Sequence, residues 1–113
     1  MFDVIPTPKF LRQAKRLQKK YKSLIDDLIS FEESLSKNPN QGTDLGGNTH
    51  KVRLTIESKN SGKSGGARII TYLVMDNKEV YLMSIYDKSE VSTVKDNDIK
   101  KMVKDLKTEF GIN

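Results

Sequence analysis

Eight consecutive residues, Ala67 to Val74, read "ARIITYLV", and Arg68 is the only charged one. Apolar side chains fall at both odd and even positions, so neither face of a strand made from this run is fit for water. The run therefore predicts a central strand, covered on both sides, and a chain that must supply a layer to cover it. Two neighbours qualify as its partners: "THKVRLTIES" from Thr49 and "EVYLMSIYDK" from Glu79. The links between the three runs are short and rich in Gly, Ser, Asn and Asp, which predicts an antiparallel meander.

The covering layer comes from the N-terminal third. "MFDVIPT" alternates and ends among prolines, as suits a short edge strand, and Thr7 followed by Pro8 is a helix N-cap followed by a residue suited to N1. Phe10, Ala14, Leu17 and Tyr21 then form one apolar stripe. Ser23 starts a second helix with Leu24, Leu28, Phe31 and Leu35 as its stripe, flanked by Ile25 and Ile29, and Pro39 ends it. The run "NPNQGTDLGGN" from Asn38 to Asn48 predicts a surface loop, and near Asp96 a last helix begins with Ile99, Met102, Val103, Leu106 and Phe110 facing inward. The expected fold is α+β: an N-terminal helical hairpin packed on a small twisted antiparallel sheet of about four strands, with a C-terminal helix.

A length of 113 residues predicts a single domain spanning 1–113 with one modest core. There are 20 Lys and Arg against 15 Asp and Glu, a net charge of +5, which favours a polyanionic or acidic partner. The charge is most one-sided between Lys9 and Lys22, where no acidic residue falls. The absence of cysteine rules out disulfides and thiolate zinc sites and fits a reducing cytoplasm. No signal-peptide h-region and no membrane-length apolar run is present, so a cytoplasmic protein with no membrane partner is expected.

Several chemistries fail on inventory. "SGKSGG" invites a phosphate-binding P-loop, but Glu57 stands where that motif needs its first glycine, and a strand pattern follows where a helix should begin. His50 is the only histidine, so a histidine-dependent nuclease or a serine triad would rest entirely on it, and it is expected as a loop or strand-end residue. Asp26, Asp27, Glu32 and Glu33 lie off the apolar stripe of their helix and are expected as solvent charges.

Strand parity is more informative. Lys51 and Arg53 share a face opposite Val52, Leu54 and Ile56; Arg68 shares a face with Ile70, Tyr72 and Val74; Tyr86 and Lys88 share one too. If the first two helices cover the apolar set, the other face gathers Lys51, Arg53, Arg68, Tyr86 and Lys88, with Lys63 on the turn above. On RNA such a cluster fits attack of a ribose 2′-OH on its own phosphate. Arginine forks clamp the developing charge, and a lysine in cationic surroundings serves as base, Lys51 and Lys88 both being candidates. Tyr86 can stack on a base or relay a proton. Basic residues on a sheet face are, equally, what a solvated surface of a basic protein looks like.

"THKVRL", then "SGKSGGARIITYLV", then "VYLMSIYDKSE", after an N-terminal pair of helices, resembles the RelE and HigB group of bacterial type II toxins, within the RelE/ParE superfamily. The resemblance extends to "PKFLRQAKRLQKKY" and "LSKNPNQG", and its most specific part is Gly65, Gly66, Arg68 and Tyr72 followed by Ile85, Tyr86 and Lys88. It implies a ribosome-dependent mRNA endoribonuclease, needing neither metal nor other cofactor and inhibiting translation. Its cognate antitoxin silences it, and operator DNA is reached only through that antitoxin. The matched positions are Lys51, Arg53, Arg68, Tyr86 and Lys88 as catalytic residues, with Lys63 and Tyr72 on the RNA. Arg12, Lys15, Arg16 and Lys19 on the basic first helix suit ribosomal RNA or an acidic antitoxin segment. The chain departs from close relatives at Ser64 and Thr71 and has no tyrosine after Tyr86, which leaves the base unassigned. Two other readings are a gyrase inhibitor of the ParE group, which shares the fold without the enzymatic activity, and a plain RNA-binding module.

Overall fold

A computed structural model describes residues 1–59, 66–91 and 94–112. The chain runs through β1 (Asp3–Pro6), α1 (Pro8–Lys20), α2 (Leu24–Lys37), β2 (Thr43–Gly46), β3 (Thr49–Leu54), a short 3-10 turn (Glu57–Lys59), β4 (Ala67–Val74), β5 (Glu79–Asp87) and α3 (Asp96–Phe110). The five strands form one sheet in the order β1-β5-β4-β3-β2, which puts the apolar run at its centre.

Two corrections to the expected sheet follow. It has five strands rather than about four, and it is mixed, because β1 pairs parallel to β5 with Val4 opposite Val80 and Ile5 opposite Tyr81. Parallel neighbours need a long crossover between them, and everything from α1 to β4 supplies it. The helix pair follows β1, the short edge strand expected from "MFDVIPT". The fifth strand is β2, inside the segment expected as loop. Gly46 pairs with Thr49, leaving Gly47 and Asn48 as a two-residue turn with φ of 58° and 65°. Both central residues at positive φ define the hairpin turn that matches strand twist, so residues that mark a loop here close a hairpin.

The first helix starts as its sequence dictates. Thr7 is the N-cap, its hydroxyl accepting from the Phe10 N–H at 3.2 Å, and Pro8 occupies the first turn where its missing N–H costs nothing. The same hydroxyl donates to the Leu82 carbonyl at 2.9 Å, tying the helix start to β5. Beyond the end of β1, Gln13 takes over the edge of β5: its Oε1 accepts from the Ile85 N–H at 2.9 Å and from the Ser84 hydroxyl at 3.1 Å. An edge strand with unpaired N–H groups invites foreign pairing, and this side chain closes it.

Each face of the sheet has its own core. On one side Phe10, Leu17, Leu24, Phe31 and Leu35 from the helix pair pack on Val52, Leu54, Ile69, Leu73, Val80, Leu82 and Ile85. On the other, Leu106 with Met102 and Val103 of α3 packs on Ile70, Tyr72, Tyr81 and Met83. Each fully buried Leu or Ile contributes about 1.5–3 kcal/mol, and the run from Ala67 to Leu73 contributes to both layers at once. Among the described residues no helix is long and apolar enough to cross a membrane.

A bulge in β5 decides what each face carries. Ile70 pairs with Ser84 but Thr71 pairs with Leu82, so Met83 is an extra residue. Strict alternation from Tyr81 would send Tyr86 to the helix-pair side. The extra residue instead lets Leu82 and Ile85 both face the helix pair and brings Tyr86 onto the same side as Arg68.

Candidate functional site

The register of the three longest strands lines up a transverse row. Arg53 on β3 lies opposite Arg68 on β4, and Arg68 lies opposite Tyr86 on β5. One step along, Lys51 lies opposite Ile70. The sequence expectation that these residues share a face is met by the geometry, but the expectation that the face is open is corrected. α3 covers its central part, because Ile70, Tyr72, Tyr81 and Met83 are too apolar to be left in water. Arg53 is exposed and Lys51 half-buried, whereas Arg68 and Tyr86 are each only 6% exposed.

Individual placements differ from one another. Arg68 donates from Nη1 to its neighbour's carbonyl on Ala67 at 3.1 Å, which holds the guanidinium close to the sheet. Lys88 is exposed just past the end of β5, where its N–H donates to the Gly66 carbonyl at 3.2 Å. Tyr72, expected on the RNA, is buried beneath α3 with the Lys107 ammonium 6.0 Å from its ring centre. Tyr72 also lines a cavity of about 460 Å³ with Leu45, Thr49, Ile99 and Val103. Arg12, Lys15, Arg16 and Lys19 are exposed on α1, which packs on the other side of the sheet from the row, and Arg16 pairs with Glu90 at 3.4 Å. Lys63 lies outside the described residues. His50 is a buried β3 residue opposite Thr71; its Nδ1 and the Thr71 hydroxyl have no hydrogen-bond partner among the described residues.

Burial raises the Tyr86 hydroxyl above the ordinary tyrosine range, against a smaller opposing pull from the Arg68 charge, so the phenol is held neutral. A neutral phenol donates a proton or a hydrogen bond and does not serve as a base near neutrality. Tyr86 also lines a cavity of about 340 Å³ between α1 and α3, together with Lys9, Gln13, Ser84 and Lys101.

Sequence reasoning missed Asp87. It is fully buried directly between Tyr86 and Lys88. Its Oδ2 accepts from the Tyr21 hydroxyl at 2.5 Å and pairs with the Lys20 ammonium at 3.4 Å, while its Oδ1 accepts from the N–H and hydroxyl of Ser89 at 2.9 and 2.8 Å. The Lys20 ammonium is held charged above its usual range, first by its contact with the Tyr21 hydroxyl and also by Asp87. The carboxylate thus ties the end of α1 to the end of β5, where the row terminates. A signal was present: Tyr21 completes an apolar stripe but carries a hydroxyl, and a buried phenol needs a partner.

The model of the RelE toxin of the RelE/RelB toxin-antitoxin system matches residues 5–111. The chain belongs to the RelE toxin family. Among solved structures, the isolated E. coli RelE toxin is similar with a TM-score of 0.59 at 12% identity, covering 94% of this chain and 99% of that one. An arginine double mutant of E. coli RelE in the free state is similar with a TM-score of 0.51 at 15% identity, covering 80% of this chain and 87% of that one. At such identities the likeness is one of fold, and the family match is what identifies this chain as a toxin with a cognate antitoxin.

Proposed function

We propose that the protein is a ribosome-dependent mRNA endoribonuclease that inhibits translation in the cytoplasm until its antitoxin binds it. The observation that carries this reading is the Arg53, Arg68, Tyr86 row. Two arginines placed directly opposite each other repel, and a phosphate between them turns that repulsion into two charge-assisted contacts.

In this reading the ribose 2′ oxygen attacks the adjacent phosphorus and the bond to the 5′ oxygen breaks, leaving a cyclic phosphate and a free 5′ hydroxyl. Arg53 and Arg68 hold the charge that builds on the non-bridging oxygens. The neutral Tyr86 phenol supplies a proton or hydrogen bond toward the leaving oxygen. Lys51 and Lys88 flank the row and are the two candidates to take the 2′ proton, with Lys63 as a further phosphate contact. The row uses only side chains of this chain, and the ribosome supplies the alignment of the substrate.

The test is induction without antitoxin, followed by mapping of mRNA ends. Growth arrest with cuts inside translated messages supports the reading, and Arg68→Ala should relieve the arrest while the protein stays folded. Arrest with intact messages and a DNA-damage response would instead establish gyrase inhibition.

A further inference from the structure

The last helix divides charge between its two flanks. On the flank that meets the β2–β3 hairpin, Ile99 and Val103 of α3 face Leu45, Thr49 and Tyr72 of the sheet across the cavity of about 460 Å³. Lys100 and Lys107 line it too, against a single carboxylate, Asp96. The flank toward α1 has two cavities, and each balances two cations with two carboxylates. Lys9 and Lys101 stand with Asp98 and Asp105 in one, Lys9 and Arg12 with Asp105 and Glu109 in the other. Of these three cavities, the one at the hairpin has the excess of positive charge and the apolar floor.

That cavity continues the arginine row. Thr49, Lys51 and Arg53 alternate onto one face of β3, and the register sets Tyr72, Ile70 and Arg68 opposite them. At about 3.4 Å of rise per residue, Thr49 stands about 7 Å beyond Lys51 and about 14 Å beyond Arg53. Cations therefore follow one another from the row, through Lys51, to Lys100 and Lys107 at the cavity. A short run of nucleotides spans that distance.

We propose that the cavity between α3 and the β2–β3 hairpin binds a nucleobase of the mRNA on the 5′ side of the cut, with Lys100 and Lys107 holding the phosphates beside it. Given that the row is the site of cleavage, on which this assignment rests, its direction is set. Tyr86 at the β5 end serves the leaving 5′ oxygen, so the strand 3′ to the cut departs past β5 and the strand 5′ to it lies over β3, where Lys51 stands. A base has apolar faces and a polar edge, and the cavity offers Ile99, Val103 and Tyr72 to the first and ammoniums to the phosphates that accompany it. Apolar and ring contacts accept any base, so this subsite adds grip on the strand rather than a sequence preference. An acidic protein segment would also satisfy two ammoniums. RNA is favoured because these cations continue, along one strand, from the residues that hold the scissile phosphate.

The experiment places the toxin on ribosomes programmed with an mRNA that carries 4-thiouridine at single positions 5′ of the cut and a 2′-deoxyribose at the cut, which removes the attacking oxygen. Irradiation should join the thiouridine to residues between Ile99 and Val103. In single-turnover cleavage of the unmodified message, Lys100→Glu, at an exposed position, should raise the half-saturating toxin concentration about fivefold and leave the maximal rate within about twofold. An abasic nucleotide at the crosslinked position should raise it about tenfold for the wild type. Lys37→Glu makes the same change of charge at the exposed end of α2, across the sheet, and should alter neither quantity. Crosslinks confined to ribosomal RNA or to α1, or a Lys100→Glu toxin that saturates like the wild type, overturn the proposal. So does a Lys100→Glu toxin that loses affinity for its antitoxin and none for programmed ribosomes, since that assigns the cavity to the antitoxin. A crosslink at the cavity in a toxin that leaves the unmodified message intact keeps the subsite and removes the row from catalysis; cutting without the crosslink does the reverse.

Discussion

Arg53 and Arg68 stand directly opposite each other on antiparallel strands, one exposed and one buried. Like charges in that relation destabilise a sheet by about 0.2–1 kcal/mol. The expected signature is a split between stability and activity. Arg53→Ala should leave the melting temperature unchanged or slightly higher, while either Arg53→Ala or Arg68→Ala lowers single-turnover cleavage of ribosome-bound mRNA by about 10²-fold or more. Cleavage within threefold of wild type in both variants would remove the arginine clamp from the mechanism.

Tyr81 and Tyr86 are both held neutral above the ordinary tyrosine value of 10.0, in each case chiefly by burial, with the Glu79 carboxylate adding to the effect on Tyr81. In the unfolded chain these phenols ionise at their usual pH, while in the folded chain they resist, so above about pH 10 the unfolded state binds fewer protons and stability falls as pH rises. Thermal melts should therefore be flat up to about pH 9 and drop above pH 10, and Tyr86→Phe should move the drop to higher pH. The same substitution removes the proposed donor, so cleavage should fall by about 10²-fold with no change in the neutral-pH melt. A melt that collapses at neutral pH in Tyr86→Phe would make the hydroxyl structural.

The strands, the helices and the capped start of α1 were legible because each rests on local chemistry: periodicity, Thr7 before Pro8, turn residues between apolar runs. What was not legible depended on contacts distant in sequence. The parallel pairing of β1 with β5 is a choice of edge, and edges look alike in composition. β2 was hidden because Gly46, Gly47 and Asn48 mark loops and tight hairpins equally well. Arg68 and Tyr86 were expected on one face and lie there, but by way of a bulge at Met83 that no period-two count contains. The covering of Tyr72 came from α3, whose apolar stripe announces that it packs on something but not on what.

Asp87 has more partners than any other described carboxylate, and the bond from Tyr21 is the one that can be removed most cleanly. Tyr21→Phe keeps the ring in the helix-pair core and deletes only the hydroxyl, leaving the fully buried carboxylate short of a donor. The expected loss is about 1–3 kcal/mol in denaturant unfolding. Lys20→Ala should cost less than Tyr21→Phe, because its ammonium is half exposed and screened by water. Equal costs for the two variants would show that the ion pair, not the phenol, anchors this end of β5.

The approach to the central strand sets the last expectation. Gly66 has φ +85°, and a Cβ built there would run into the Leu54 carbonyl oxygen and meet the Ile56 nitrogen at 3.5 Å. The Leu54 oxygen is backbone at the end of β3, so it cannot swing aside as a side chain would. Gly66→Ala should therefore destabilise by about 2 kcal/mol or more, through a strained φ and through displacement of β3 from β4. Gly47 is the internal control: its φ of 58° is also positive, but a Cβ there meets nothing within 4 Å. Asn tolerates that conformation, so Gly47→Asn should change stability by less than about 1 kcal/mol. Because Gly66 immediately precedes the strand that carries Arg68, its alanine variant should also lose cleavage beyond what its fraction unfolded explains, measured by single-turnover assay at a temperature where it is still folded. If Gly66→Ala is as benign as Gly47→Asn, the close approach of the two strands at this point is wrong.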